Sequence, residues 1–330
     1  MSEANAAAFD PLSDVFHAVR LTGAVFFDFE AKTPFAAEAP PSSAIAPHVS
    51  RGAEHAIEFH VITSGSCWGG IVGEDPVRLE TGDVIAFPQG DAHVISSGPG
   101  MRGPTLGTLP SAVFGRLPIA VHHGPPGAAD VRMICGFLTC DRQPFNPLVA
   151  ALPRLLHDRA SRERVGKSGW ITQFIDHAVV ESKGARVGSQ TVLTKLSELM
   201  FLDVVRRYLE ALPPEHVGWL GALHDPIVGR AIALLHERPA QAWTVDELAR
   251  ASGASRSGLY ERFTAAVGMA PMQYLAQWRI QLAANLLARS NAGIAAIASE
   301  VGYDSEAAFH RAFKKAVGTA PGAWRRQKAG

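Results

Sequence analysis

The chain has 330 residues, of which 47% are apolar and 19% charged, which is enough for two ordinary cores and too apolar for a disordered protein. Its 31 basic and 31 acidic residues cancel overall. The cancellation is uneven: residues 225–330 hold 13 basic against 8 acidic side chains, so the remainder carries the opposite excess, and only the C-terminal third is suited to a polyanion. No run of 18 apolar residues appears, and the opening MSEANAAAFD has neither the basic flank nor the apolar stretch of a signal peptide, so no membrane partner and a cytoplasmic location are expected. Cys67, Cys135 and Cys140 are an odd number in a long chain, which argues against a disulfide scaffold and for reduced thiols.

From Ala24 to His93 the pattern predicts strands, AVFFDFE, AIEFHVIT and VRLETGDVIAFP, divided by Pro, Gly and Ser clusters. They read as a small antiparallel barrel. SSGPGMRGPTLGTLP (96–110) is too rich in breakers for a regular element and reads as a mobile loop, and VRMICGFLTC then closes the region as a strand. After Pro147 the period lengthens: Trp170, Ile171, Phe174, Ile175 and Val179 share one helical face, and a longer helix is predicted from about Thr191 to Leu212. Its later half, MFLDVVRRYL, is apolar almost all round, so the barrel alone leaves part of it wet and a partner subunit is expected to cover the rest. PPEHVGWLGALHDP (213–226) is the best boundary in the chain, with Asp-Pro placed to open a helix at Ile227.

The C-terminal part contains a repeat. SRSGLYERFTAAVGMAP (255–271) returns fifty positions later as SEAAFHRAFKKAVGTAP (305–321) with seven identities in register, and LARASG (248–253) matches IASEVG (297–302). Each copy predicts a short helix (Val245–Ala251, Ile294–Glu300), a tight turn at Gly253 or Gly302, and a second helix N-capped by Ser255 or Ser305. Leu259, Phe263, Phe309 and Phe313 should face the core, and the residues between them should face outward. A helix from about Pro271 to Arg289 joins the copies and is long enough to set two recognition helices near one turn of duplex apart.

On these residues the segment from IVGRAIALLHERPAQAWTVDELARASGASRSGLYERF through EVGYDSEAAFHRAFKKAVGTAPGAWRR resembles the AraC/XylS DNA-binding domain, over about a third of the chain. The resemblance implies that Ser257, Tyr260 and Glu261 occupy the base-reading surface of the first recognition helix, and Glu306, His310 and Arg311 that of the second, beside Ser305. Arg256, Lys314 and Lys315 are placed for phosphates, which bind strongly but carry no sequence information. Glu261 departs from the commoner pattern; its carboxylate either reads a cytosine amino group or pairs with Arg262 away from the duplex.

In the N-terminal region, Gly82 to His93 matches the second cupin motif, G-x5-P-x-G-x2-H, with Ser97 where asparagine is usual. DPLSDVFHAVRLTGAVF and CDRQPFNPLVAALPRLLH add to the likeness to cupin-type sensor domains carried by some AraC-family regulators. The first cupin motif is poor: Glu58-Phe59-His60 has no following glutamate. Glu58 and His60 share a strand face and with His93 could hold a divalent metal, zinc for example; in the other reading His60 and His93 are hydrogen-bonded barrel residues or line an effector pocket. Cys135 and Cys140 lie on or beside a strand and by default are buried apolar thiols; the sensor resemblance marks Cys135 as a redox-sensing thiol, provided its pKa is lowered and solvent reaches it.

The expected architecture is multidomain: a cupin-like antiparallel β-barrel sensor (1–145), a helical linker and dimerisation region (146–218), and an all-α double helix-turn-helix domain (219–330). The resemblance implies a nucleoid-associated regulator, an activator in the family's usual mode, binding double-stranded promoter DNA as a homodimer, contacting RNA polymerase, and answering a small-molecule or oxidant effector. No cofactor is required. A metal-dependent cupin enzyme fused to a DNA-binding domain is the rival expectation.

Overall fold

A computed structural model of the chain describes residues 9–19, 21–49, 55–104, 119–141, 144–159, 187–213 and 216–328, together with Gln173, His177, Val180 and Glu181. It opens with helix α1 (Pro11–Ala18), capped by Asp10, whose Oδ1 accepts from the Leu12 and Ser13 N–H groups. The β-rich region follows as two sheets. The larger runs in the order β10 (Leu156–Asp158), β6 (Val84–Phe87), β3 (His55–Ser64), β9 (Val131–Cys140), β1 (Thr22–Ala31) and β8 (Ile119–His123); the smaller runs β2 (Ala36–Ala39), β7 (His93–Ser96), β4 (Ser66–Ile71) and β5 (Val77–Glu80). Helix α2 (Ser42–Val49) joins β2 to β3. The barrel expected as purely antiparallel contains one parallel pair, β1 with β8, with Phe29 opposite Val121.

Strand β3 is buried over its first eight residues because β6 and β9 flank it inside the larger sheet. Burial on both faces explains why AIEFHVIT alternates so weakly. The motif turn between β6 and β7 needs its glycine: Gly90 has φ +72, and a Cβ there would meet Ser42 Oγ at 1.9 Å. Within the 96–110 segment, residues 105–110 lie outside the described residues, and the earlier part is held by Arg102, which pairs bidentately with the buried Glu38.

Two units emerge, one of residues 21–141 and 152–211, the other of residues 1–20, 142–151 and 212–330. The division expected from the sequence is 1–145, 146–218 and 219–330. Helix α4 (Ser189–Ala211) groups with the barrel, burying Leu193, Met200, Phe201, Val204 and Val205 while leaving Val192 and Leu199 exposed. The predicted face of Trp170, Ile171, Phe174, Ile175 and Val179 lies outside the described residues. Among those described, no helix is long and apolar enough to cross a membrane.

The other unit contains α1, α3 (Pro147–Ala151), α5 (Trp219–Ala222), α6 (Val228–Glu237), α7 (Val245–Ser252), α8 (Arg256–Val267), α9 (Pro271–Arg289), α10 (Ile294–Glu300), α11 (Glu306–Val317) and α12 (Pro321–Lys328). Helix α1 belongs here for a physical reason. Its Asp14 accepts a 2.8 Å bond from His236 Nδ1 on α6, and the Ala18 carbonyl accepts from Gln281 and Asn285 on α9. His236 Nε2 in turn accepts from the Tyr274 hydroxyl at 2.7 Å, and that oxygen accepts from Trp219 Nε1 at 2.8 Å. Every proton in this chain points the same way, so a neutral His236, held below its ordinary pKa by burial, satisfies both its ring nitrogens.

Helix α9 ties the two helix-turn-helix copies together. Its Arg279 guanidinium donates to three carbonyls, Pro239 at 2.7 Å, Gly302 at 2.9 Å and Gln241 at 2.8 Å, so one side chain closes the loop before α7 onto the turn after α10. Three carbonyls in one planar fork suit arginine and not lysine. Arg279→Ala should therefore lower unfolding stability by about 2 kcal/mol in denaturant titration, and Arg279→Lys should recover less than half of the loss. The turn glycines should separate in the same assay. Gly253 (φ +78) has open space at its Cβ position, whereas Gly302 (φ +87) would push a Cβ to 2.7 Å from the Ala240 backbone. Gly253→Ala should cost about 1 to 2 kcal/mol from backbone strain alone, and Gly302→Ala distinctly more.

Candidate nucleic-acid interface and sensor cavity

Both recognition helices begin as the sequence predicts. Ser255 Oγ accepts from Gly258 N at 3.1 Å at the start of α8, and Ser305 Oγ accepts from Ala308 N at 3.2 Å at the start of α11. Leu259 and Phe263 on α8, and Phe309 and Phe313 on α11, are fully buried, which fixes the opposite faces outward. Ser257, Tyr260 and Glu261 are exposed on α8 and, with Arg256 and Val245, border a shallow surface hollow. On α11, Glu306, Arg311, Lys314 and Lys315 are exposed and His310 is half-buried, its Nε2 lying 3.7 Å from Glu306 Oε1. The Ser305 hydroxyl is committed to its capping bond.

The two faces differ in charge. Arg262, the alternative partner for Glu261, instead reaches Asp225 at 2.7 Å, so Glu261 is left on the outer face without it. Asp225 was expected to open a helix, and its other oxygen caps the α6 terminus through Ile227 N and Val228 N. Arg256 pairs with Asp246 at 3.3 Å. Both arginines of α8 thus have carboxylate partners, whereas Lys314 and Lys315 stand in the last turn of α11 and Arg325 and Arg326 in that of α12. Positive potential therefore gathers on the second copy.

Inside the barrel, β3 presents Glu58 and His60 from the larger sheet and β7 presents His93 from the smaller one. They line a cavity of about 210 Å³ walled mainly by Phe27, Phe29, Ile45, Ile95, Met133 and Phe137. His60 Nε2 and His93 Nε2 are 2.7 Å apart, His93 Nδ1 donates to the Asp91 carbonyl at 3.2 Å, and the His93 ring stacks on Phe87. Since His93 spends its proton on Asp91, its Nε2 accepts, His60 Nε2 donates, and His60 Nδ1 is left a bare acceptor. Burial pushes His60 well below its usual pKa, with His93 adding to the shift, and brings His93 down to about 4. Burial also raises the Glu58 carboxyl to about 8. At neutral pH all three groups are uncharged. His60 Nδ1 and Glu58 Oε1 are buried and have no protein partner.

These donors fit a metal poorly. Two nitrogens each about 2.0 to 2.1 Å from one tetrahedral zinc would sit wider apart than 2.7 Å, and a ligating histidine ordinarily donates its second nitrogen to a carboxylate or carbonyl, which His60 Nδ1 does not do. Among the described residues no group of three or more His, Cys, Asp or Glu side chains could hold an ion. The surroundings of Cys135 do not supply the lowered pKa and solvent access that a sensing thiol needs. Cys135 is buried in the cavity wall opposite His60 in the β3–β9 register, and burial, reinforced by Cys67, Glu58 and Asp28, raises its thiol far above the ordinary value.

The sequence pointed to the recognition helices and to Glu58, His60 and His93, but not to Asp14, His236 or Arg279. No local pattern marks these last three, because each acts through partners distant in the chain.

Comparison with known proteins agrees with this geometry. A family described as Cupin matches residues 10–210, and one described as Helix-turn-helix domain matches residues 248–327. A putative AraC-like transcription regulator of Streptomyces antibioticus is 34% identical over 278 residues, 83% of this chain and 88% of that one. The HTH-type transcriptional regulator AlkR of Acinetobacter baylyi is 29% identical over 275 residues, 83% and 89% of the two chains. The RCS-specific HTH-type transcriptional activator RclR of Escherichia coli is 26% identical over 269 residues, 82% and 84%. The chain therefore belongs to the AraC-type transcriptional regulators, sequence-specific DNA-binding proteins in which a helix-turn-helix domain follows a cupin domain.

Proposed function

We propose that this protein binds a promoter operator as a homodimer, activates transcription through contact with RNA polymerase, and is controlled by a small molecule held in the barrel cavity. The observation that carries the reading is the pair of capped recognition helices with outward Glu306, His310 and Arg311, joined in one chain to a barrel containing an apolar cavity with two unpartnered polar atoms. Activation is supported by the likeness to RclR, a transcriptional activator, and dimerisation by the exposed Val192 and Leu199 on α4. The thiol environment of Cys135 favours a bound small molecule over an oxidant as the signal.

In this reading the second recognition helix supplies most of the phosphate attraction and the first contributes mainly base contacts. An operator defined by footprinting should therefore bind Arg311→Ala more weakly by about 1 to 3 kcal/mol with relaxed preference at one position. Lys315→Ala should weaken all sequences alike and flatten the salt dependence by about one ion. Undiminished operator affinity in Arg311→Ala would remove that residue from base reading. Elemental analysis of protein purified without chelator should find well under one metal ion per chain, and a stoichiometric metal that Glu58→Gln or His93→Gln abolishes would reverse the assignment of the cavity.

A further inference from the structure

Resting on the reading of the barrel cavity as the effector site, the geometry points to its ligand class: a small, uncharged, largely apolar molecule carrying one hydroxyl group, a phenol or comparable alcohol, which bridges Glu58 and His60.

Size sets the first limit. An engineered 150 Å³ apolar cavity accepts benzene, so a cavity of about 210 Å³ takes a molecule of about eight or nine non-hydrogen atoms. The largely aromatic and aliphatic walls reject sugars and other polyols, each of whose additional hydroxyls would be buried without a partner. Phe27 and Phe137 already meet edge to face at 6.1 Å, an arrangement that can accept a further ring.

The polar end sets the second limit. Hydrogen-bond bookkeeping leaves two atoms open, Glu58 Oε1 and His60 Nδ1, on residues two apart on one face of β3. His60 Nδ1 has a lone pair and no proton, so it needs a donor. Glu58, kept in its acid form by burial, has a proton to give. A single hydroxyl answers both, accepting from the carboxyl and donating to the imidazole. A ketone or ether would answer only the first, and a hydrocarbon neither. An ionised carboxylate would place an unpaired charge among apolar walls, with neither histidine protonated to meet it.

The test titrates the full chain at pH 7 with four probes, 4-ethylphenol, ethylbenzene, 4-ethylbenzoate and benzene, reading binding by calorimetry and by thermal shift. 4-Ethylphenol should bind at least about tenfold more tightly than ethylbenzene, and 4-ethylbenzoate no better than ethylbenzene. Glu58→Leu should abolish the preference for the phenol, and Glu58→Gln should keep it, because an amide N–H donates where the acid did. Equal binding of the phenol and the hydrocarbon, or tightest binding of the benzoate, overturns the hydroxyl assignment while leaving the cavity reading intact. Retention of the full preference in Glu58→Leu likewise overturns it. Binding of none of the four, benzene included, overturns the cavity reading itself. Should Glu58→Leu fail to fold, the ratio of phenol to hydrocarbon affinity on the unaltered chain decides alone.

Discussion

Two recognition helices can enter successive grooves of one duplex only if the distance and rotation between them are fixed before they meet it. Helix α9 meets that constraint by being part of both cores at once. Its Tyr274 packs edge-on against Phe263 of the first copy, and its Trp278 stacks on His236 at 4.0 Å. Further along the same helix, Ile280, Ala283, Ala284 and Leu287 enter the core of the second copy with Phe309, Phe313 and Trp324. A helix of 19 residues is about 28 Å long at 1.5 Å per residue, and burial of both ends leaves it no freedom to swing. Arg279 sits where the two cores meet, and its three carbonyl bonds turn two packed modules into one object.

The same unit depends on residues from the far end of the chain. His236 is buried beside Trp278, and a buried imidazole proton without an acceptor would cost about 1 to 3 kcal/mol. Asp14 supplies that acceptor from α1, more than two hundred residues earlier. The chain passes between the units at residues 20–21, 141–142, 151–152 and 211–212. Strand β1 begins four residues after α1 ends, and β9 ends seven residues before α3 begins. On the proposed reading, a change in the strands around the cavity is thus delivered covalently, over a few residues, to segments that complete the DNA-binding core. That supplies the physical link that differential binding of an effector to two states requires.

Legibility in the sequence followed the range of the interactions. The repeat at 255–271 and 305–321 was readable because caps, turn glycines and three- and four-residue core spacing are local rules, and Ser255, Gly253, Ser305 and Pro271 obey them. The motif from Gly82 to His93 was readable for the same reason. Strand direction was not: β8 pairs parallel with β1 although nothing in IAVHH distinguishes a parallel from an antiparallel edge. The grouping of α1 with the C-terminal helices was also invisible, since Asp14 reads as an ordinary first-turn acid. Glu58, His60 and His93 were found by motif and face, but their chemistry depends on burial, which the letters do not record. Cys135 shows the same gap, because its thiol is set by the cavity wall and not by ICGFL.

The cavity itself runs against the stability of the barrel. Its apolar walls, and two polar atoms without protein partners, are surface that a fully packed core would have covered. Filling couples ligand concentration to the barrel directly: at a hundred times its Kd a ligand stabilises the state that holds it by about 2.7 kcal/mol. The cavity lies between β3 and β9 of one sheet and β7 of the other, so that energy acts on the spacing of the two sheets. Strand β1 lines the cavity through Phe27 and Phe29 and leads straight back to α1. On the proposed reading, a ligand in the cavity therefore touches the strand that is followed back along the chain by the segment completing the DNA-binding unit.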